Sequence, residues 1–394
     1  MSKPVTILLT AGEASGDRLG AGLILALRRL APDQTFHFVG VGGREMAANG
    51  VDSLFDMTEL SVLGLFEGMR ALPRINRRAD DIARLARGTR PQVAVLIDSW
   101  GFSLRVAHRL RRLKPPVHIV KYVGPQIWAS RPGRARTLAR AVDRLLSTQS
   151  MDAPFYAHLG LPVTFVGNPA LTLDVSQIDA ARARRNLGLH PDQPMLLVLP
   201  GSRPSEISRL SGPFGDAAAT LLARHPDLVV VVPVASTVAA QVKAAVANWP
   251  VPVRLIEDDA GKLDAMAGCT VALAASGTVS TELALCGAPM VIGYRVGDMT
   301  YAILKRLMRA RFITLLNIAA DREVAPEFLQ DRCTGEKLAG AVERLLAHPA
   351  ERAAQIAVQS AALDQMGRGT GDPSERAAQA ILADLRRIGA IAQA

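Results

Sequence analysis

The sequence predicts an α/β protein of two doubly wound units facing a central cleft, each a parallel sheet between helices. Three observations carry this. The chain has 394 residues, 49% of them hydrophobic, more than one ordinary core uses and enough for two. Short apolar runs alternate with segments of helical periodicity, the pattern of βαβ units. The alternation then starts over near residue 168 with the same grammar, so the second half repeats the first.

In the first half, the runs at 5–9, 35–41, 93–97, 118–122 and 163–166 are rich in Val, Ile and Leu and read as buried parallel strands. Segments 20–30, 80–87 and 104–113 read as the helices between them. The second half supplies strands at 195–199, 228–234, 253–256, 271–274 and 290–293, with helices at 212–222, 238–247 and 278–285. The boundary falls within 168–174, after Gly167-Asn168-Pro169, giving domains 1–168 and 169–372. The remainder, 373–394, carries an amphipathic helix over 375–388 that is expected to pack back across the junction.

Charge narrows the function. A formal net charge of +10 favours anionic partners such as phosphorylated substrates or an anionic membrane surface. Nucleic acid is disfavoured, because the basic residues are spread out and no zinc-finger or aromatic-basic RNA motif occurs. Cys269, Cys286 and Cys333 fit no zinc spacing, and their odd number argues for a reducing compartment. The N-terminus enters a strand directly, without the apolar run and cleavage site of a signal peptide. No apolar run approaches the ~18 residues that span a bilayer, so a cytoplasmic protein with at most peripheral membrane contact is expected. The stretch 60–69 offers such a contact. Val62, Leu63, Leu65, Phe66 and Met69 cover most of a helical circumference, and Arg70, Arg74, Arg77 and Arg78 follow. An apolar patch beside a basic run docks on an anionic bilayer; a wholly buried core helix has the same pattern.

In open α/β sheets ligands collect beyond the carboxyl ends of the strands. Five such segments hold candidate residues. The first, Ala11-Gly-Glu-Ala-Ser-Gly-Asp-Arg-Leu-Gly, contains Gly12, Glu13, Ser15, Gly16 and Asp17; its glycines either let a phosphate approach the backbone or close a tight turn. Asp98 ends the apolar run 93–97, where a carboxylate costs desolvation unless paired or poised as a general base with a raised pKa; the alternative is a cap for the next helix. In the second half, Gly201, Ser202, Arg203 and Glu206 follow a strand, and Arg203 offers a planar fork for phosphate. Ser276, Gly277, Thr278 and Glu282 open a helix whose free amides suit a diphosphate, with Ser276 or Thr278 as N-cap and Glu282 placed to accept from ribose hydroxyls. Tyr122, Trp128 and Arg131 concentrate aromatic and basic character in a chain with 4% aromatics, as a sugar or acyl platform or as ordinary packing.

At these residues the chain resembles the lipid-A-disaccharide synthases, glycosyltransferases of the two-Rossmann-domain (GT-B) type. The matching segments run in order over nearly the whole chain: Ala11–Asp17, Phe38-Val-Gly-Val-Gly-Gly-Arg-Glu-Met, 60–69, Ile97-Asp98, and Tyr122-Val-x-Pro-x-x-Trp-Ala-x-Arg. In the second half they are Leu199-Pro-Gly-Ser-Arg-x-x-Glu, Ala275-Ser-Gly-Thr-x-x-x-Glu, Gly293-Tyr-Arg, Leu316-Asn317 and Val324-Ala-Pro-Glu-x-x-Gln.

The resemblance implies transfer from a UDP-linked diacylglucosamine donor to an acylated glucosamine 1-phosphate acceptor at the inner membrane surface. Asp98 would be the base, Arg203 and the 276–278 turn the diphosphate holders, and Glu282 the ribose acceptor. Asn317 and Glu327 match cleft positions. No metal or cofactor is implied, and the sequence has no Asp-x-Asp triplet. Three segments depart from the family pattern: Asp98-Ser-Trp-Gly-Phe-Ser where Asp-x-Pro-Asp-Phe-Asn is common, Ser150-Met-Asp for Pro-Phe-Glu, and Gly167-Asn-Pro for Gly-His-Pro. Other readings stay open at this point: a transferase for another lipid-linked acceptor, a nucleotide-sugar epimerase, or a non-catalytic nucleotide-sugar binder. The apolar 60–69 run favours a lipid acceptor, and the retained Asp98 and Arg203 disfavour the non-catalytic binder.

Overall fold

The computed structural model describes residues 4–60, 65–128, 131–234, 238–297, 301–302 and 311–393, with the backbone alone over 65–71. The chain forms two compact units. The first runs to Asn168 and resumes at Thr370; the second is Pro169–Gly369.

The first unit is built on six parallel strands, β1 (Val5–Thr10), β2 (Phe36–Val41), β3 (Val93–Ile97), β4 (His118–Tyr122), β5 (Arg144–Ser147) and β6 (Val163–Phe165), in the order β2-β1-β3-β4-β5-β6. Its helices include α1 (Ala14–Leu30), α2 (Arg44–Ala48), α3 (Leu65–Thr89), α4 (Trp100–Leu110), α5 (Gly133–Ala141) and α6 (Ala153–Tyr156). Every residue of β3 and β4 is buried; β3 is accordingly an unbroken apolar run, whereas β4 also buries His118 and Lys121. One core lies on the α1 side of the sheet and a second on the side of α4 and α5.

The second unit repeats the plan with β7 (Met195–Leu199), β8 (Val229–Pro233), β9 (Val253–Ile256), β10 (Val271–Ala275), β11 (Met290–Tyr294) and β12 (Glu327–Leu329), in the order β12-β11-β10-β7-β8-β9. Its helices include α7 (Ala180–Asn186), α8 (Pro204–Arg224), α9 (Ala239–Val246), α10 (Asp259–Gly268), α11 (Thr278–Leu285), α12 (Leu315–Ala320), α13 (Gly335–Ala347) and α14 (Pro349–Gln365). Strand order reverses between β1 and β3 in one sheet and between β7 and β10 in the other. These switch points open the crevices in which α/β proteins bind ligands.

The last helix, α15 (Pro373–Arg387), packs on the first unit. Its Ala377, Ala378, Ile381, Leu382 and Leu385 join Leu23, Ile24 and Leu27 of α1 in one core. Asp384, fully buried, accepts from Arg144 Nε and Nη2 at 2.6 and 2.8 Å, and His118 Nε2 lies 2.8 Å from its Oδ2. Burial alone would raise this carboxyl; hydrogen bonds from Arg144 and His118 overcome that and hold it well below the usual range.

Several sequence expectations need correction. The strands β5 and β12 were not anticipated. Helix α1 starts at Ala14, so Ser15, Gly16 and Asp17 belong to its first turn rather than to a loop. Helix α8 likewise starts at Pro204 and carries Pro213 within it. Val62 and Leu63 lie outside the described residues. Leu65, Phe66 and Met69 begin α3, and their side chains are also outside what is described. Arg78 is not a membrane-facing cation: it pairs with Glu59 at 2.7 Å and Asp81 at 3.0 Å and lies over the Phe55 ring. Among the described residues no helix is long and apolar enough to cross a membrane.

Candidate active site

At the switch point of the second sheet, the loops after β7 and β10 line one crevice of about 430 Å³, within the usual range for small-molecule sites. The residues anticipated for a nucleotide, Gly201, Ser202, Arg203, Glu206, Ser276, Gly277, Thr278 and Glu282, all line it. Gly201 has φ +126°, and a Cβ there would meet the Glu206 Cβ at 2.5 Å, so the turn requires glycine. Glu206 is buried and accepts from the Ser202 amide at 3.0 Å, while its Oε1 lies 3.6 Å from Arg203. Glu206 therefore shapes the turn, and the largely exposed Arg203 keeps its guanidinium toward solvent.

The N-cap of α11 is Gly277, not Ser276 or Thr278, and no side chain caps it. Uncapped first-turn amides carry the positive end of the helix dipole and suit an anion. Glu282 pairs with Lys262 of α10 at 2.6 Å. Leu199, Pro200, Pro233, Val234 and Val279 supply an apolar wall, with Tyr294 at the end of β11. The crevice thus brings together backbone amides and a guanidinium, groups that suit an anion, a carboxylate–lysine pair, and an apolar wall.

In the first unit, Asp98 follows β3 with φ +46° and Ser99 with φ +43°, two successive left-handed residues of a kind that cluster at functional sites. The Asp98 amide donates to Tyr122 O at 2.9 Å, and Ser103 Oγ donates to Asp98 O at 2.6 Å. The cap of α4 is Ser99. The Asp98 side chain is half-buried, and among the described residues it has no hydrogen-bond or ion-pair partner. A Cβ on Gly12 would stand 3.0 Å from Ser99 Cβ and Oγ, so the loops after β1 and β3 pack on each other. Glu13 and Ser15 beside it are exposed. Trp100 lies under the Arg134 guanidinium at 5.1 Å. Burial and the charge of Arg131 push the Arg134 pKa down. Arg131 is exposed, Trp128 half-buried, and neither Arg131 nor Arg134 has an ion pair among the described residues.

Other anticipated cleft residues are committed to structure. Gly16 is buried in α1, where a Cβ would contact Ala11 and Ile97. Asp17 is buried and accepts from the amides of Gly43, Glu45 and Met46 at 2.7, 2.9 and 3.1 Å, which caps α2. Tyr122 is fully buried in the α1-side core, where burial raises its phenol well above the ordinary value; it cannot be a sugar platform. Asn317 donates to Ala325 O and Glu327 and accepts from the amides of Val324 and Ala325. Glu327 in turn accepts from the amides of Ile313 and Thr314 and from Thr314 Oγ1. Both are buried, and these bonds tie β12 to α12. Sequence reasoning missed Lys262 and Tyr294 in the crevice, and Lys121, a buried lysine of β4 whose amine reaches Asp98 O. Among the described residues no three His, Cys, Asp or Glu side chains are grouped to hold a metal.

Comparison with known proteins adds to this geometry. Residues 7–381 match the model of the lipid-A-disaccharide synthetase family. The chain is 44% identical over 380 residues to the lipid-A-disaccharide synthase of Rhodospirillum centenum, covering 96% of this chain and 94% of that protein. With that of Pseudomonas aeruginosa it shares 39% over 382 residues, 97% and 98% of the two chains. Two solved structures share the fold at low identity. The Methanocaldococcus jannaschii UDP-GlcNAc 2-epimerase in complex with UDP-GlcNAc and UDP has a TM-score of 0.56 at 14% identity, over 97% of this chain and 100% of that one. The calicheamicin glycosyltransferase CalG4 has a TM-score of 0.56 at 16% identity, over 98% and 99%.

Proposed function

Because the chain belongs to the lipid-A-disaccharide synthetase family, and is therefore a glycosyltransferase of lipid A biosynthesis, we propose that it moves the sugar of UDP-2,3-diacylglucosamine to the 6-hydroxyl of 2,3-diacylglucosamine 1-phosphate. The products are the β-1,6-linked disaccharide 1-phosphate and UDP. The observation that carries this reading is the crevice of the second unit, where Arg203, the uncapped start of α11 and Glu282 line one surface.

An α-linked donor giving a β-linked product requires a single in-line displacement with inversion. The acceptor oxygen attacks C1 opposite the diphosphate, its proton passes to the Asp98 carboxylate, and the bond from C1 to the diphosphate oxygen breaks. The free Asp98 carboxylate supports its role as base. The Arg203 guanidinium and the amides at the start of α11 receive the charge that develops on the leaving diphosphate. Glu282 accepts from ribose hydroxyls, and Lys262 holds Glu282 in place. Arg131 and Arg134 are the residues for the acceptor phosphate, since both are cationic and without a carboxylate partner among the described residues.

Two acylated sugars must meet, so the reaction belongs at the inner face of the cytoplasmic membrane, with the protein bound peripherally. The net charge of +10 and the apolar 60–69 run support this. Mass spectrometry of the products formed by purified protein from the two substrates tests the assignment. With Asp98→Asn, UDP release is expected to collapse while UDP binding persists; unchanged turnover would eliminate Asp98 as the base.

A further inference from the structure

Lys121 lies in the middle of the first sheet, in β4, and is 2% exposed. A lysine so placed is costly unless its amine is bonded throughout. Here it is. Its Nζ donates to Leu96 O at 3.1 Å, to Asp98 O in a short contact, and to Ser103 Oγ at 3.2 Å, with Tyr122 O farther off at 3.5 Å. The three nearer acceptors match the three N–H groups of an ammonium. The rest of its surroundings are apolar: Trp100, Leu104, Ala107, Leu138 and Val142.

The position of this amine has a local cause. Asp98 and Ser99 are left-handed, so the chain departs from β-geometry at the end of β3. The Asp98 carbonyl is bonded instead by Lys121 Nζ and by Ser103 Oγ. Without them a buried carbonyl would lose its partners beneath the residue that carries the reactive carboxylate.

We propose that Lys121 is a positioning residue for the transfer: from inside the first unit it holds the Asp98–Ser99 turn in its left-handed form and so sets where the Asp98 carboxylate stands. The proposal rests on the reading of Asp98 as base. It makes the rate sensitive to the ionisation of a group that never touches substrate. Burial pushes the amine down to about 7, and the Asp98 charge pulls the other way; Asp98 is the charged group acting on it from the elements packed around it. Above that pH the amine has two N–H groups for three acceptors, and the turn loosens.

The test compares wild type, Lys121→Met, Lys121→Gln and Asp98→Asn by thermal melting, UDP titration, and kcat and KM across pH. Lys121→Met is expected to fold and bind UDP like wild type with donor KM unchanged, to melt a few degrees lower because Leu96 O and Asp98 O lose a donor, and to lose kcat by about tenfold or more. Wild-type kcat is expected to decline above about pH 7. Lys121→Gln, which keeps two N–H donors and cannot titrate, is expected to recover part of kcat without that decline. If Lys121→Met does not fold, Lys121→Gln carries the test. A kcat within about twofold of wild type in both variants, which is below ~0.5 kcal/mol, overturns the proposal, as does an alkaline decline that persists in Lys121→Gln. Full turnover in Asp98→Asn removes the base reading and this proposal with it. Loss in Asp98→Asn with full turnover in both Lys121 variants removes this proposal alone.

Discussion

Replacing Asp384 by alanine is expected to destabilise the first unit selectively. The carboxylate is fully buried, with Arg144 bonded to both oxygens and His118 at 2.8 Å. Removing it strands a guanidinium that is 20% exposed and an imidazole that is 7% exposed. Breaking a buried ion pair by deleting one partner costs ~3–5 kcal/mol. Arg144 reaches some water, so the lower part of that range, ~3–4 kcal/mol, applies. For a unit of this size each kcal/mol moves the midpoint by ~2–4 °C, giving a fall of ~6–16 °C.

Differential scanning calorimetry with and without UDP provides the assay. On the proposed reading UDP stabilises the transition of the second unit, which should stay in place. Linkage gives a second readout. The folded carboxyl lies below its ordinary value of 3.8, so its contribution is fully present above that pH and is lost as pH falls beneath it. Wild type should therefore lose stability on acidification below about pH 4 more steeply than Asp384→Ala. A midpoint shift under ~2 °C, equivalent to at most ~1 kcal/mol, would refute the argument. So would an equal loss in the UDP-stabilised transition.

Four further outcomes are expected. Arg203→Ala should weaken UDP binding by about 10- to 150-fold, the worth of a charge-assisted hydrogen bond, and Glu282→Gln should reduce discrimination between UDP and 2′-deoxy-UDP; calorimetric titration reads both, and unaltered affinities would move the nucleotide elsewhere. Gly12→Ala places a Cβ 3.0 Å from Ser99 and should lower kcat several-fold through displacement of the Asp98 turn while UDP affinity holds; an unchanged kcat would show that the turn tolerates the shift. Polar substitution of Leu65 and Phe66 should weaken sedimentation with anionic vesicles at an unaltered melting temperature, whereas a lower melting temperature with unaltered sedimentation identifies a core helix.

The long apolar strands were legible because burial on both faces writes itself as continuous hydrophobicity. The strands β5 and β12 were not, because Arg-Leu-Leu-Ser and Glu-Phe-Leu contain no β-branched residue, unlike the equally short β6 and β9. The starts of α1 and α8 were hidden by Gly and Pro residues, which read as loop although Gly16 packs inside a helix and Pro204 suits a first turn. At the site, Gly201–Arg203 and Ser276–Thr278 were legible because they follow strands directly. Lys262 was not, since it reaches the crevice from α10, whose residues show little amphipathic periodicity. Asp17, Asn317 and Glu327 illustrate the converse error: a carboxylate or amide in a matching motif can be wholly occupied by backbone amides, and only coordinates reveal who its partners are. Tyr122 was misread because an aromatic beside a loop looks available until its strand is known to be buried on both faces.

The return of the chain to the first unit at Thr370 orders the events of synthesis. The hydrophobic stripe of α1 is finished early, yet the helix that covers it emerges only after the whole of Pro169–Gly369. At ~5–20 residues per second the ribosome needs ~10–40 s to make that insertion, and throughout it Leu23, Ile24 and Leu27 lack their cover. The inserted unit, which has all its own strands, can close first. A nascent chain therefore carries an adhesive surface beside a finished second unit, and misassembly during translation should concentrate at α1.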